Sequence, residues 1–352
     1  MAGLLLDAIG GWDLSSHPPM PLSALDERVS HLTTNAIEQS TRKGYSTSIK
    51  SYIRFCLIHN LPLNPTPQNL ARYIAYVSQY INSAPQYLSG IRHFLLEFFP
   101  DFDDNRSSTL VQATIRGSKK VRANPIRRKL PLRTSHLQTF LDLSNNSKTF
   151  DDLLFITIIS CAFYGCHRIG ELVQRNNQSL FDWRKIVKRA SLSFPDDYYA
   201  QYHLPYHKSD PFYHGTDVRF VLQGIANPIT LLQQYCHRRD SIHGLRAALF
   251  LHENGSHPTR SWFKHQLHNL LPSSYGAHSM CAGGATFYAS PGLNESIIQS
   301  LGRWSSSAWK IYLRDHPAIR AAQQLALLSS NQLLASSSAP PPPPHTSSAA
   351  NQ

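Results

Sequence analysis

His278-Ser279-Met280-Cys281-Ala282-Gly283-Gly284-Ala285-Thr286, Leu301-Gly302-Arg303-Trp304-Ser305-Ser306 and Trp309-Lys310-Ile311-Tyr312-Leu313-Arg314 follow one another closely in the last quarter of the chain. His278 and Ser305 each precede a helical stretch. Cys281 falls three residues after His278, on the same face of the helix that follows. Two further stretches lie upstream. His167-Arg168-Ile169-Gly170-Glu171-Leu172 comes directly after the longest apolar run, Leu153 to Cys166. Leu204-Pro205-Tyr206-His207-Lys208-Ser209-Asp210-Pro211-Phe212 interrupts an alternating region as a hairpin turn would. Taken singly, each residue has an ordinary reading. Arg168 is a helix-end arginine bonding carbonyls, Lys208 a solvated lysine, His278 a neighbour of a helix N-cap, Trp304 core, and Tyr312 one of 16 tyrosines. Their order along the chain is what makes them informative.

The surrounding chain has 352 residues, enough for about two domains. Lys plus Arg is 34 against 22 for Asp plus Glu, so the formal net charge is +12 although only 16% of residues are charged. Apolar residues make up 41%, too many for a chain disordered throughout. Five scattered cysteines argue for reduced thiols in an intracellular compartment, not a disulfide framework. The apolar run of 14 residues is short of the roughly 18 that a membrane span needs. Leu4-Leu5-Leu6 lacks the basic flank of a signal peptide, and no membrane partner is expected. The positive charge is concentrated. Arg116, Lys119, Lys120, Arg122, Arg127, Arg128, Lys129 and Arg133 fall in one stretch without an acid, and Arg184, Lys185, Lys188 and Arg189 form a second cluster. A solvated face or a localisation signal accounts for either run alone. A polyanion contact, in which each neutralised phosphate releases counterions, makes double-stranded DNA the leading partner.

Residues 1–24, rich in Gly, Pro and Ser, read as a loose tail, and residues 25–122 as a helical domain. Tyr45, Ile49, Tyr52, Ile53, Cys56 and Leu57 fall on one helical face, and Thr66-Pro67 starts a helix with Leu70, Ile74, Val77 and Ile81 inward. Ser83 and Pro85 start a third with Leu88, Ile91, Leu95 and Phe98, and a fourth runs from about Ser108 to Lys120. Residues 123–133, broken by Asn124-Pro125 and Pro131, read as a basic linker. In residues 134–328 the expected N-caps are Thr134 and Thr149, with Asn227-Pro228, Thr259, His278, Asn294 and Ser305 opening later helices. Strand-like runs occur at Tyr199 to Leu204 and Val218 to Leu222. Residues 329–352, with Pro340 to Pro344, read as a disordered tail. The class is mainly α, a four-helix domain followed by an α+β domain with a small antiparallel sheet.

No phosphate-binding GxxxxGK[ST] loop, GxGxxG turn or GxSxG elbow is present. His252 and His257 miss the HExxH spacing by one residue, and His265 and His268 have no nearby carboxylate or thiol. Neither a metal nor a cofactor is implied. The five stretches, in this order and with Trp304 eight residues before Tyr312, resemble the catalytic domain of the tyrosine recombinases, the phage-integrase-like DNA breaking–rejoining enzymes. They are most similar to the recombinases of fungal crypton-type mobile elements. The likeness spans about residues 30–325, the first domain being similar to the family's core-binding (SAM-like) domain.

That resemblance implies DNA integration or recombination through a 3′-phosphotyrosine intermediate and four protomers on two DNA sites; the DNA substrate and the basic runs together lead to the expectation of residence in the nucleus. Arg168 matches a phosphate-clamping arginine, suited to the role by its permanently charged fork. Lys208 matches the general acid for the 5′-hydroxyl, and His278 a phosphate donor or proton shuttle. Trp304 matches the indole beside the phosphate, and Tyr312 the nucleophile. A phenol of pKa about 10 needs help losing its proton, which the surrounding cations are expected to supply. Glu171 reads as a brace. Arg116, Lys119, Lys120, Arg122, Arg127, Arg128 and Lys129 are the expected DNA contacts. The departure is Cys281, which stands where the family has its second arginine and carries no charge. A catalytically inactive DNA-binding protein derived from a mobile-element recombinase is the rival expectation, and a type IB topoisomerase a third.

Overall fold

The computed structural model describes residues 19–122 and 128–313. It divides into two units, Met1–Ile126 and Arg127–Gln352. Residues 1–18 of the expected first tail, linker residues 123–127 with Arg127, residues 314–328 and the whole 329–352 tail lie outside the described residues.

The first unit is helical: α1 (Leu22–Asn35), α2 (Gln39–Ile58), α3 (Pro67–Val77), α4 (Ala84–Leu95), α5 (Phe102–Ser107) and α6 (Thr109–Arg122). Helix begins at Leu22, inside the segment expected to be loose, yet α1 buries none of its residues. α3 starts as expected, with Thr66 Oγ1 accepting from the Asn69 N–H at 3.2 Å and Pro67 at the first helical position. The inward face of α2 is Ser48, Ile49, Tyr52, Phe55 and Cys56. Phe55, three residues after Tyr52, turns onto Tyr73 with ring centroids 5.4 Å apart. That rotation leaves Ile53 and Leu57 on the far edge, and Leu57 is 72% exposed. On α4, Leu88, Ile91 and Leu95 are buried as expected, but Phe98 lies beyond the helix end and is 71% exposed. The short α5 had no signal in the periodicity. It seats Phe102, fully buried, in the same core as Leu70, Ile74 and Val111.

The second unit is built round α8 (Phe150–Tyr164), 12 of whose 15 residues are buried. Thr149 caps it by accepting from the Asp152 N–H at 3.1 Å. α7 (Thr134–Ser147), α9 (Pro228–His243) and α11 (Ser279–Ala289) pack on α8. Thr134 is the first residue of α7, not its cap. The Arg133 N–H donates instead to the His136 ring at 3.0 Å. The three-stranded antiparallel sheet runs β1 (Ser193–Asp196), β2 (Tyr199–Leu204), β3 (Thr216–Val221) in that spatial order. β2 buries Ala200, Tyr202 and Leu204 while its alternate residues turn outward. β2 and β3 pair from Tyr199↔Val221 to Leu204↔Thr216, and the loop between them carries Lys208. α10 (Arg260–His268) and α12 (Glu295–Leu301) follow, with Thr259 and Asn294 as caps. No described helix is long and apolar enough to cross a membrane.

The end of the expected linker is part of this unit. Leu132 is buried in its core, and the Leu130 and Leu132 N–H groups donate to Ser274 O and Ser279 O, both at 2.9 Å. Two glycines of α11 allow close backbone approach, one to the linker end and one to α8. A Cβ on Gly283 would lie 2.4 Å from Leu132 O, and one on Gly284 only 2.1 Å from Phe163 O. α11 thus lies between residue 132 and the end of α8 at backbone contact. All five cysteines are free and buried.

Candidate active site

α8 ends at Gly165, and the chain turns through Cys166 at φ 49° into a single 3-10 turn, Ile169–Glu171, whose N-cap is Arg168. The turn brings three side chains to one carboxylate. Arg168 Nη1 donates to Glu171 Oε1 at 3.4 Å, and His167 Nδ1 lies 2.9 Å from Oε2. Arg303 Nη2 donates to the same Oε2 at 3.2 Å. Tyr202 of β2 closes the network, its hydroxyl 2.7 Å from His167 Nε2. The neutral tautomer that fits both of these contacts has Nδ1–H donating to Glu171 and Nε2 accepting from Tyr202, so that Arg303 Nη2, 3.2 Å from Nδ1, donates to the carboxylate instead. Burial works to raise the Glu171 pKa, but His167, Arg303 and Arg168 outweigh it and hold the carboxyl down at about 2. His167 is pressed down to about 4, by burial first and then by the Arg303 charge. The pair is therefore a carboxylate and a neutral imidazole near pH 7.

Tyr312 ends a 3-10 turn, Ser307–Tyr312, that packs on α11. Trp309 is the turn's anchor, 1% exposed, and stacks on Trp304 with centroids 5.7 Å apart. Trp304 also faces Tyr312, its centroid 6.2 Å from the phenol ring. Lys310 pairs with Glu295 at the start of α12. The Tyr312 hydroxyl and the Cys281 thiol are neighbours that act on one another, and Arg168 acts on both groups. Burial, then Cys281, push the phenol up to about 12, and Arg168 alone pulls it down. The expectation that surrounding cations lower the tyrosine is thus not met in this geometry. Among the described residues Arg168 is the cation that acts on the phenol, and desolvation exceeds it. Cys281 is buried, its thiol raised by that burial, with Sγ donating to His278 O at 3.3 Å.

His278 occupies the N-cap position of α11 without a side-chain capping bond. Desolvation and the charges of Arg168 and Lys208 keep its imidazole below the ordinary value, hence neutral at pH 7. Lys208 is exposed on the β2–β3 loop. Arg168, Lys208, His278, Tyr312 and Cys281 therefore gather from four segments, and Trp304 joins them through the Tyr312 ring.

The second basic cluster braces this loop. Lys185 Nζ lies 4.3 Å from the Tyr206 ring centroid and Arg184 4.7 Å from that of Tyr213. Arg189 pairs with Asp240 at 2.7 Å. In the first cluster Arg116, Lys119 and Lys120 stand exposed on α6. Arg122 differs, because its guanidinium caps the end of α3 through Ser78 O and Tyr80 O. Arg128 and Lys129 are exposed on the second unit, Lys129 donating to Ser273 O. Sequence reading gave no role to His167, His207 and Arg303, although they lie inside the quoted stretches, and placed Tyr202 only within a strand-like run. His207 Nδ1 is buried with no partner among the described residues, and His207 is acted on by Arg303, Glu171 and Arg168. Its place beside Lys208 was the available signal.

No family model matches the sequence, and no curated protein does. Solved structures match the chain. A Tn1549 transposon integrase in complex with a circular-intermediate DNA aligns at TM-score 0.55 and 13% identity, over 86% of this chain and 97% of that one. A lambda integrase fragment, a dimer bound to a COC′ core site, gives 0.53 and 15% over 84% and 96%. A lambda integrase tetramer bound to a Holliday junction gives 0.52 and 16% over 84% and 82%. At these identities the likeness shows the fold: mainly helical, with a small three-stranded antiparallel sheet, it is that of the tyrosine recombinases and integrases.

Proposed function

We propose that this chain is a tyrosine-recombinase-type protein acting on double-stranded DNA, and that Cys281 impairs its strand cleavage. The observation that supports the reading is that His278, Tyr312 and position 281 all lie within reach of the Arg168 charge. The lambda and Tn1549 integrases of the same fold were solved bound to DNA, which supports DNA as the substrate. In the proposed step the Tyr312 oxygen bonds to a phosphorus while the bond to the 5′-oxygen breaks, leaving a 3′-phosphotyrosine. Neutral His278 can take the phenol proton, and Lys208 can give one to the departing 5′-oxygen. Arg168 offers a charged fork to the non-bridging oxygens. The 5′-hydroxyl of a partner duplex then reverses the step, so no ATP or metal is required. At position 281 a weak S–H donor replaces a cation, and a missing pre-organised donor costs on the order of 10²–10³ in rate. We further propose descent from a crypton-type mobile element, residence in the nucleus, and four protomers on two DNA sites in the active ancestor.

The test compares the natural protein with Cys281→Arg on a duplex nicked beside the cleavage phosphate, found first by selecting bound sequences. Covalent adduct is read on a denaturing gel with Tyr312→Phe as blank. Adduct from the Cys281→Arg variant at least 100-fold faster than from the natural chain supports the reading. Equal Tyr312-dependent adduct from both removes the impairment, and adduct from neither removes the enzyme, leaving a DNA-binding protein.

A further inference from the structure

Arg303 stands at φ 55°, in the left-handed region, on the turn after α12. Its side chain is 8% exposed. Nη1 donates to Gly165 O at 3.1 Å and Leu301 O at 3.0 Å, which ties the end of α8 to the end of α12. Nη2 reaches Glu171 Oε2 beside the His167 contact. The carboxylate is thus divided: Oε2 serves Arg303 and His167, and Oε1 alone is left for Arg168, at the long distance of 3.4 Å. Arg168 has no other side-chain hydrogen bond among the described residues, and its side chain is 25% exposed. With His167 neutral, Glu171 (−1), Arg168 (+1) and Arg303 (+1) sum to +1. Without Arg303 the sum is zero, and a buried carboxylate with one acceptor position on Oε2 vacated beside the His167 contact would take Arg168 in the two-point grip that guanidinium and carboxylate prefer.

We propose that Arg303 is a positioning residue: by occupying Glu171 it leaves the outward edge and the charge of Arg168 for a phosphate. This rests on reading Arg168 as the phosphate donor. Position 281 supplies no cation, so the site's outward positive charge near Tyr312 depends on Arg168 being released in this way.

Arginine modification by phenylglyoxal tests the arrangement without relying on activity. On the full chain, the rate at Arg168 is followed by peptide mass spectrometry, with exposed Arg116 as internal reference. Arg303→Gln is expected to slow Arg168 at least threefold, Arg303→Lys to restore most of the rate, and Glu171→Gln to raise it above that of the natural protein. An unchanged Arg168 rate in folded Arg303→Gln overturns the proposal. If that variant does not fold, an unchanged rate in Glu171→Gln overturns it equally. In the Cys281→Arg background, Arg303→Gln should lower the maximal adduct rate at least tenfold with the half-saturating duplex concentration unchanged. If that background forms no Tyr312-dependent adduct, the catalytic reading fails, and the phenylglyoxal rates still decide the role of Arg303.

Discussion

Gly284→Ala and Gly117→Ala make the same chemical change in two helices, and the structure assigns them opposite signs. In an open helix alanine is better than glycine by about 0.8–1 kcal/mol, because glycine loses more backbone freedom on folding. Gly117, on α6, has nothing within 4 Å of an added Cβ. Its substitution should stabilise the first unit by close to that amount. Gly284 faces the end of α8, where the new Cβ would sit 2.1 Å from Phe163 O and 2.8 Å from Cys166 Sγ, against an ordinary contact of 3.4–4 Å. The obstacle is a backbone carbonyl of the central helix and cannot rotate aside, so α11 must shift by about an ångström. Overpacking of this kind costs about 1–3 kcal/mol. Taking the upper end, less the propensity gain, leaves about 2 kcal/mol of destabilisation, a fall of roughly 4–8 °C in Tm for a unit of this size. Urea titration of the full chain reads both, as shifts in midpoint at constant slope. A Gly284→Ala protein as stable as the natural one would refute the backbone contact between α11 and α8, and with it the placement of His278 and Cys281.

Acidification should destabilise the protein in two stages. His167 has its folded pKa lowered to about 4 from 6.5, so the unfolded chain takes the proton first and stability falls from about pH 6.5 down to 4. Glu171, lowered from 4.5 to about 2, gives stability that is present above its unfolded pKa and lost as pH falls toward 2. His167→Gln should make the first stage shallower in a plot of urea midpoint against pH, His136, His207, His257 and His278 supplying the rest, and should weaken the second, since His167 helps hold the Glu171 carboxyl down. Lys208→Ala, on an exposed loop, should change stability by no more than about 0.5 kcal/mol. In the Cys281→Arg background it should slow adduct formation by about 10²–10⁴, and an unslowed rate would remove Lys208 from the chemistry. Replacing Arg116, Lys119 and Lys120 together by alanine should make the slope of log affinity against log salt shallower by as much as about 3, at unchanged stability. Arg122→Ala should instead lower the stability of the first unit, because it uncaps α3.

What the sequence disclosed follows the range of the forces involved. Thr66, Thr149, Asn227, Thr259 and Asn294 act on N–H groups two or three residues away, so a cap is visible to anyone reading four residues at a time. The apolar girth of α8 also announces itself, since burial on all sides needs no partner to be named. Faces are harder. Ile53, Leu57 and Phe98 have the right spacing to be inward, and only the packing of Phe55 on Tyr73 and the early end of α4 turn them out. The order of the motifs pointed to Arg168, His278, Cys281 and Tyr312 as neighbours. Arg303 was hidden by distance: its partner Glu171 is 132 residues away, and nothing local distinguishes a guanidinium aimed at solvent from one aimed at a buried carboxylate. Leu132 was hidden by company, an apolar residue amid prolines and cations that the fold uses as a wedge against Gly283.

Cys281 beneath Tyr312 turns the site into its own reporter of breathing. A buried thiol with a raised pKa is closed to alkylating agents until the structure over it opens, and the rate of capture then measures the free energy of that opening. Four other thiols, in the cores of both units, open only with larger unfolding and serve as references within the same molecule. Capture of Cys281 ahead of Cys161 and Cys236 times the lifting of the short turn that holds the tyrosine. The residue that took the place of a charge thus makes the motion of its neighbour visible.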